Sequence, residues 1–329
     1  MARHGGELSA LKAREIIAHF EQAQEYFESA ASAGVLTGPL EQYYGALSFA
    51  RGLILFLQPK VREAILTKGH GLGAVIPPEG PLEAARLSVD SGTFDEFLDA
   101  TGNVEEIFFE TPKIEAETGI TRFQRNLKRP PVGANLSLDD LLARIPAVRM
   151  HYEEAYGSSA RCYRGHAWWF MGTVKVGLFK DCVELPPDEH LLRTFQFESA
   201  NPYPLRRQFG LELSRTVRPN TALADYIPHA VETVYGDRVV IEQYPEGWAL
   251  SALASYLAAA HALSTLVRYH PTRWARLLSR ERGDRIVPVL ERLRIAIQRD
   301  FVRLVLRELD WSVDQVTNED DAGELSGGT

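Results

Sequence analysis

Along the first sixty residues, apolar side chains recur at the helical period. Ile16, Phe20, Ala23 and Phe27 follow i, i+4, i+7, i+11, so residues 8–33 predict an amphipathic helix that Gly34 ends. Thr37-Gly38-Pro39 opens a second helix with proline in its first turn. Leu40, Tyr43, Leu47, Ala50, Ile54 and Leu57 form its stripe, and Pro59 stops it. A third short helix to about Leu66 follows, and Lys68-Gly69-His70-Gly71 breaks the pattern. From 74 to 135 the period fades: Pro77-Pro78, Gly80-Pro81 and Ser91-Gly92 mark loops, while Glu105 to Glu115 alternates as a strand. Ser137 and Asp140 make an Asp variant of the capping box that opens a helix over 137–150, which Pro146 disturbs. Aromatic and β-branched residues between Pro and Gly breaks then predict strands at Arg161–Phe170, Gly172–Phe179, Thr194–Glu198 and Gln208–Val217. Val231–Tyr235 and Arg238–Tyr244 form a hairpin turning at Gly236-Asp237. After Pro245 helix returns over 247–268, 271–282 and 285–309, the last with Ile286, Leu290, Leu293, Ile297, Phe301 and Leu304 on one face.

Each terminal helix has an apolar stripe to bury, and one has no solvent face at all. Trp248 to Val267 is twenty residues without a charge. That length crosses a bilayer, but seven alanines, three serines and His261 fit a buried central helix better than a membrane span. The expected architecture is α+β: a helical bundle formed by N- and C-terminal helices, with an inserted β-rich middle region. The corresponding segments are 1–73 (N-terminal helices), 74–245 (β-rich, with the helix at 137–150), 246–311 (C-terminal helices) and 312–329, an acidic tail expected to be disordered.

Composition adds limits. The 329 residues carry a net charge of −8, which argues against a whole-protein basic field for nucleic acid. The charge is unevenly spread. Residues 268–307 hold eleven Arg, no Lys and four acids, and 308–329 hold seven acids and no base. Cys162 and Cys182 form no metal or redox spacing, so reduced thiols in a cytoplasm are expected, and the first residues lack the apolar run of a signal peptide.

Several stretches together resemble the YaaC-like family of bacterial proteins. They are Tyr43-Tyr44-Gly-Ala-Leu-Ser-Phe-Ala-Arg51 followed by Lys68-Gly69-His70-Gly71-Leu72; Ser91-Gly92-Thr93-Phe94; Leu136 to Pro146; and, most specific, Ala262 through Arg268-Tyr269-His270-Pro271 to Trp274. This resemblance implies a fold rather than a reaction. The Tyr-Tyr…Arg helix with its Gly-His loop is also similar to the helical unit of HEPN proteins. Many of those are ribonucleases or nucleotide-binding partners in bacterial defence and toxin systems.

The HEPN pattern of Arg, four to six residues, then His occurs at Arg14–His19, Arg144–His151 and Arg161–His166, no more often than chance supplies. A second set is more informative. Tyr44 and Arg51 are seven apart, and so are His261 and Arg268, so each pair shares a helical face. If the two ends of the chain form one bundle, Tyr44, Arg51, His70, Arg268 and His270 could meet as an anion-binding site, with His70, His261 and His270 as candidate proton carriers. The competing expectation is that both arginines cap helix carbonyls or pair with carboxylates, and that the histidines are core polars. Arg268 to Trp274 also reads as a helix–turn–helix corner with Pro271 in the first turn and Trp274 as a core anchor.

Arg292, Arg299, Arg303 and Arg307 form an expected basic face suited to a polyanion or to a protein partner, and the acidic tail would compete for it. No HExxH, GxSxG or Walker A motif occurs. Pro187-Asp188 with Glu198 lacks the Lys of a metal nuclease, Ala200 standing there. Neither a metal nor a cofactor is expected. The functional expectation is a cytoplasmic component, binding a nucleotide, RNA or partner for regulation in phage defence. The alternatives are a metal-independent ribonuclease of HEPN type and a structural protein-interaction subunit. Expected partners are RNA or a nucleotide, and another protein or a second copy of the chain; no membrane is expected.

Overall fold

The computed structural model describes residues 9–112, 118–181, 183–205, 208–279 and 285–311. The acidic segment 312–329, Cys182, and the ends of the strand at Glu115 and of the helix at 271–282 lie wholly or partly outside the described residues.

Two helices open the chain. α1 (Ala10–Ser32) starts at Ser9, whose side chain accepts from the Lys12 amide at 3.3 Å, and α2 (Gly38–Leu57) starts on Pro39. They pack closely because α2 carries glycine at the contact. A Cβ on Gly45 would meet the Phe27 ring at 2.7 Å. The expected break at Lys68–Gly71 is instead the entry to a strand. β1 (His70–Val75) pairs antiparallel with β2 (Arg86–Gly92), which pairs with β5 (Asn135–Ser137). Gly71 has φ +74°, a region glycine enters without strain, and it places β1 against Gly92 and the start of α3 (Thr93–Thr101). Six- and seven-residue strands with this much glycine and charge show little alternation, so they read as loop.

The larger sheet follows the order β10-β11-β6-β7-β9-β8, comprising β6 (Cys162–Phe170), β7 (Thr173–Phe179), β8 (Ser199–Leu205), β9 (Gln208–Thr216), β10 (His229–Glu232) and β11 (Arg238–Ile241). β3 (Val104–Pro112) pairs with β4 (Thr118–Asn126) and, parallel, with β6. The expected strand at Thr194–Glu198 is the end of helix α6 (Asp188–Phe195), where Gln196 takes a left-handed conformation before β8 begins. The expected helix at 137–150 is three pieces. α4 (Leu138–Leu142) ends, Pro146 starts a 3₁₀ turn to Val148, and α5 (Arg149–Tyr156) follows, because proline supplies no amide to continue the ladder.

After the sheet come α7 (Ala252–Tyr269), α8 (Pro271–Leu278) and α9 (Val287–Ala296). α9 runs through a π-helical turn, Ile297–Phe301, into further helix over 302–311. Every residue of α7 from Leu253 to Val267 is buried, which accounts for its uncharged, alanine-rich sequence. The helix packs on α2, α3, α4 and the π turn. Among the described residues, no helix is long and apolar enough to cross a membrane.

The two ends of the chain share one interior. The Phe301 ring lies 6.3 Å from that of Phe27 and 6.4 Å from that of Phe49. Gln42 donates to the Arg294 carbonyl at 3.1 Å, and Gln298 donates to the Phe27 carbonyl at 2.8 Å. The fold is α+β, with N- and C-terminal helices forming a bundle around which the strand-rich middle is built.

Candidate functional site

Three elements distant in sequence bring Tyr43, Tyr44, Arg51, His70, His261 and Arg268 together. α2 supplies the first three, the first residue of β1 supplies His70, and α7 supplies the last two. The Tyr43 hydroxyl is 2.8 Å from His70 Nδ1. Its ring meets His261 edge-on at 5.2 Å, and the two histidine rings are 5.8 Å apart. Arg268 donates to the Tyr44 hydroxyl at 3.3 Å, and Tyr44 stacks on Tyr26 at 5.6 Å. Arg51 reaches the Thr67 carbonyl at 3.5 Å, and its buried Nε has no hydrogen-bond partner.

The electrostatics of the cluster follow from burial and from these two cations. Burial lowers the His261 pKa to about 4, with His70 adding to the effect. His70 is lowered by burial first, then by Arg268 and Arg51. Both imidazoles are therefore neutral near pH 7. Burial raises the Tyr43 phenol, and both arginines oppose that shift, so both guanidiniums act on the same Tyr–His pair. Among the described residues, no carboxylate forms an ion pair with either arginine. Neither is consumed by the helix capping or carboxylate pairing that is the commoner fate of such residues. The arrangement offers two guanidiniums for an anion's oxygens beside two neutral bases.

His270 stands apart. It occupies the corner between α7 and α8, its amide donating to the Leu266 carbonyl at 3.0 Å and its carbonyl accepting from the Trp274 amide at 2.9 Å. Trp274 is buried and donates from its indole to the Val35 carbonyl at 3.0 Å, as a core anchor would. The four arginines of the expected basic face divide. Arg299 and Arg303 are exposed, Arg303 lying over the Tyr235 ring. Arg292 and Arg307 instead line a partly open cavity of about 540 Å³.

That cavity lies between β10, β11 and the helices α5, α7 and α9, and was not anticipated from the sequence. One signal was present. Asp300 interrupts the apolar stripe of Ile297, Phe301 and Leu304, a buried position where a carboxylate needs a reason.

A family model described as YaaC-like Protein matches residues 3–309 of the chain. No curated protein and no solved structure matches it.

Proposed function

We propose that this chain, which belongs to the YaaC-like family, is a regulatory component that binds a nucleotide or RNA phosphate between Arg51 and Arg268. The observation that carries this reading is the pair itself. Two guanidiniums from separate helices face one Tyr–His pair, and among the described residues neither has a carboxylate partner. A planar guanidinium gives bidentate bonds to phosphate, and a second one from another direction fixes its orientation. The likeness of the Tyr-Tyr…Arg helix and Gly-His loop to HEPN units supports assigning such a component to phage defence.

A ribonuclease reading is favoured by one further feature. His70 and His261 both lie against Tyr43 and 5.8 Å from each other, both neutral, so one can accept the 2′-hydroxyl proton of an RNA whose phosphate the arginines hold. That activity would survive a chelator and be lost in His70→Ala and His261→Ala.

Binding is tested by fluorescence anisotropy with a labelled RNA oligonucleotide and by calorimetry with ribonucleoside triphosphates. Arg51→Gln or Arg268→Gln should weaken binding about tenfold and reduce the RNA salt slope by about 1, whereas Arg299→Gln should change neither the affinity nor the slope comparably. Equal affinities for wild type and the Arg51→Gln/Arg268→Gln double variant would sink the proposal.

A further inference from the structure

The cavity behind β10 and β11 has its own unfinished chemistry. Most of the charge in its wall is satisfied internally. Arg307 pairs with Glu105 at 3.3 Å, Arg149 and Arg164 share Asp181 at 2.8 Å each, and Glu232 is held by Arg122 at 2.7 Å. Two groups are different. Asp300 is 2 % exposed, and its two carboxylate oxygens accept from the Tyr235 hydroxyl at 2.7 Å and from the Tyr256 hydroxyl at 3.2 Å. Among the described residues no cation pairs with it. Arg292 donates its Nε to the Ala147 carbonyl at 3.0 Å, and among the described residues no carboxylate pairs with it.

These two groups belong to one site. Burial, then Asp300, raises the Tyr256 phenol, and Arg292 opposes that shift, which puts the guanidinium within electrostatic reach of the carboxylate–tyrosine group. Two hydroxyls are the partners this buried carboxylate has among the described residues, and a cation carried by a ligand would compensate its charge further. The backbone agrees. Asp300 sits in the π-helical turn Ile297–Phe301, a distortion that recurs where helices build functional sites. The same wall contains the Tyr244 hydroxyl and both ring nitrogens of His229, all buried and without hydrogen-bond partners.

A simple anion would satisfy Arg292 and leave Asp300 worse placed; a simple cation would do the reverse. A ligand with a positive and a negative end answers both. Arg292 and Asp300 are eight residues apart on one continuous helical run, and both line the cavity. The volume of about 540 Å³ lies within the ordinary range for small-molecule sites.

We propose that this cavity binds a short zwitterionic peptide, its ammonium on Asp300 and its carboxylate on Arg292. The site is separate from the Arg51–Arg268 cluster and does not depend on that cluster's function.

The test is thermal shift and calorimetry on the full chain with a mixed-sequence tripeptide pool bearing free termini, against the same pool N-acetylated and C-amidated. The free pool should raise Tm by about 4 °C at saturation and the capped pool should not. Asp300→Asn and Arg292→Gln should each abolish the shift, while Arg51→Gln/Arg268→Gln keeps it. If Asp300→Asn fails to fold, the half-buried Arg292→Gln carries the comparison. No response to the free pool, an equal response to the capped pool, a response unaltered in Arg292→Gln, or stabilisation by ribonucleoside monophosphates in place of peptides overturns the proposal.

Discussion

The hydroxyl of Tyr43, in the second turn of α2, lies 2.8 Å from Nδ1 of His70, the first residue of β1. The bond spans 27 positions and ties the N-terminal helical hairpin to the small sheet. His261, from the far end of the chain, closes the group edge-on against Tyr43. One tyrosine therefore contacts both histidines of the candidate site and hydrogen-bonds one of them.

Replacing Tyr43 by Phe keeps the ring packing and removes only the hydroxyl. The expected cost is about 1 kcal/mol, because a part-buried hydrogen bond is lost while the cavity stays filled. His70 loses its orienting partner at the same time, so nucleotide or RNA affinity should fall by more than stability does. Denaturant unfolding and anisotropy on the same preparation compare the two effects.

Gly71→Ala should disturb the site from a distance. At φ +74° an L side chain is strained, and its Cβ would lie 2.7 Å from the Phe94 amide nitrogen and 2.8 Å from the Gly92 carbonyl carbon. Neither neighbour is a flexible side chain, so β1 must shift and carry His70 with it. The expected loss is about 2 kcal/mol or more, with weaker ligand binding. The matched substitution at Gly80, where φ is +86° and nothing lies within 4 Å, should cost less and leave binding intact.

Acidification from pH 7 should destabilise this fold through its buried histidines. Burial lowers His229 to about 3 and His261 to about 4, against an ordinary value near 6.5. Below pH 6.5 the unfolded chain takes up protons that the folded chain refuses, so stability present above that pH falls as the solution is acidified toward those folded values. Each histidine contributes a loss of about 2 kcal/mol by pH 5. Tm measured from pH 7 to pH 5 should decline, and His229→Gln should flatten the decline. A flat profile in the wild type would show that both rings are hydrated or paired.

How much of this was legible beforehand depended on the physical signal. The helices announced themselves through stripes such as Ile16-Phe20-Ala23-Phe27 and through the uncharged run of α7, because burial against neighbours imposes a period. Seven-residue spacing put Tyr44 with Arg51 and His261 with Arg268 on common faces, and bundling of the two ends then brought the pairs together. His270 did not join, since a backbone corner rather than a helical face sets its direction. The small sheet was missed because glycine and charge mask its alternation. The cavity was missed because it is built by residues from several elements, and only Asp300, a charge set in an apolar stripe, marked it.

Phe301 provides the sharpest test that the ends of the chain fold as one interior. It is fully buried, and its ring neighbours Phe27 on α1 and Phe49 on α2. Phe301→Ala removes a large apolar group from the seam between the N-terminal hairpin and the π turn, and the closely packed α1–α2 contact at Gly45 leaves little room for collapse. The cost should be about 3–5 kcal/mol. If the interior is shared, the fluorescence of the chain's five tryptophans and the loss of helical circular dichroism should shift to the same lower denaturant midpoint, because neither end can hold its apolar face without the other. If the hairpin were an independent unit, the variant would instead show two transitions, the earlier one confined to the C-terminal helices.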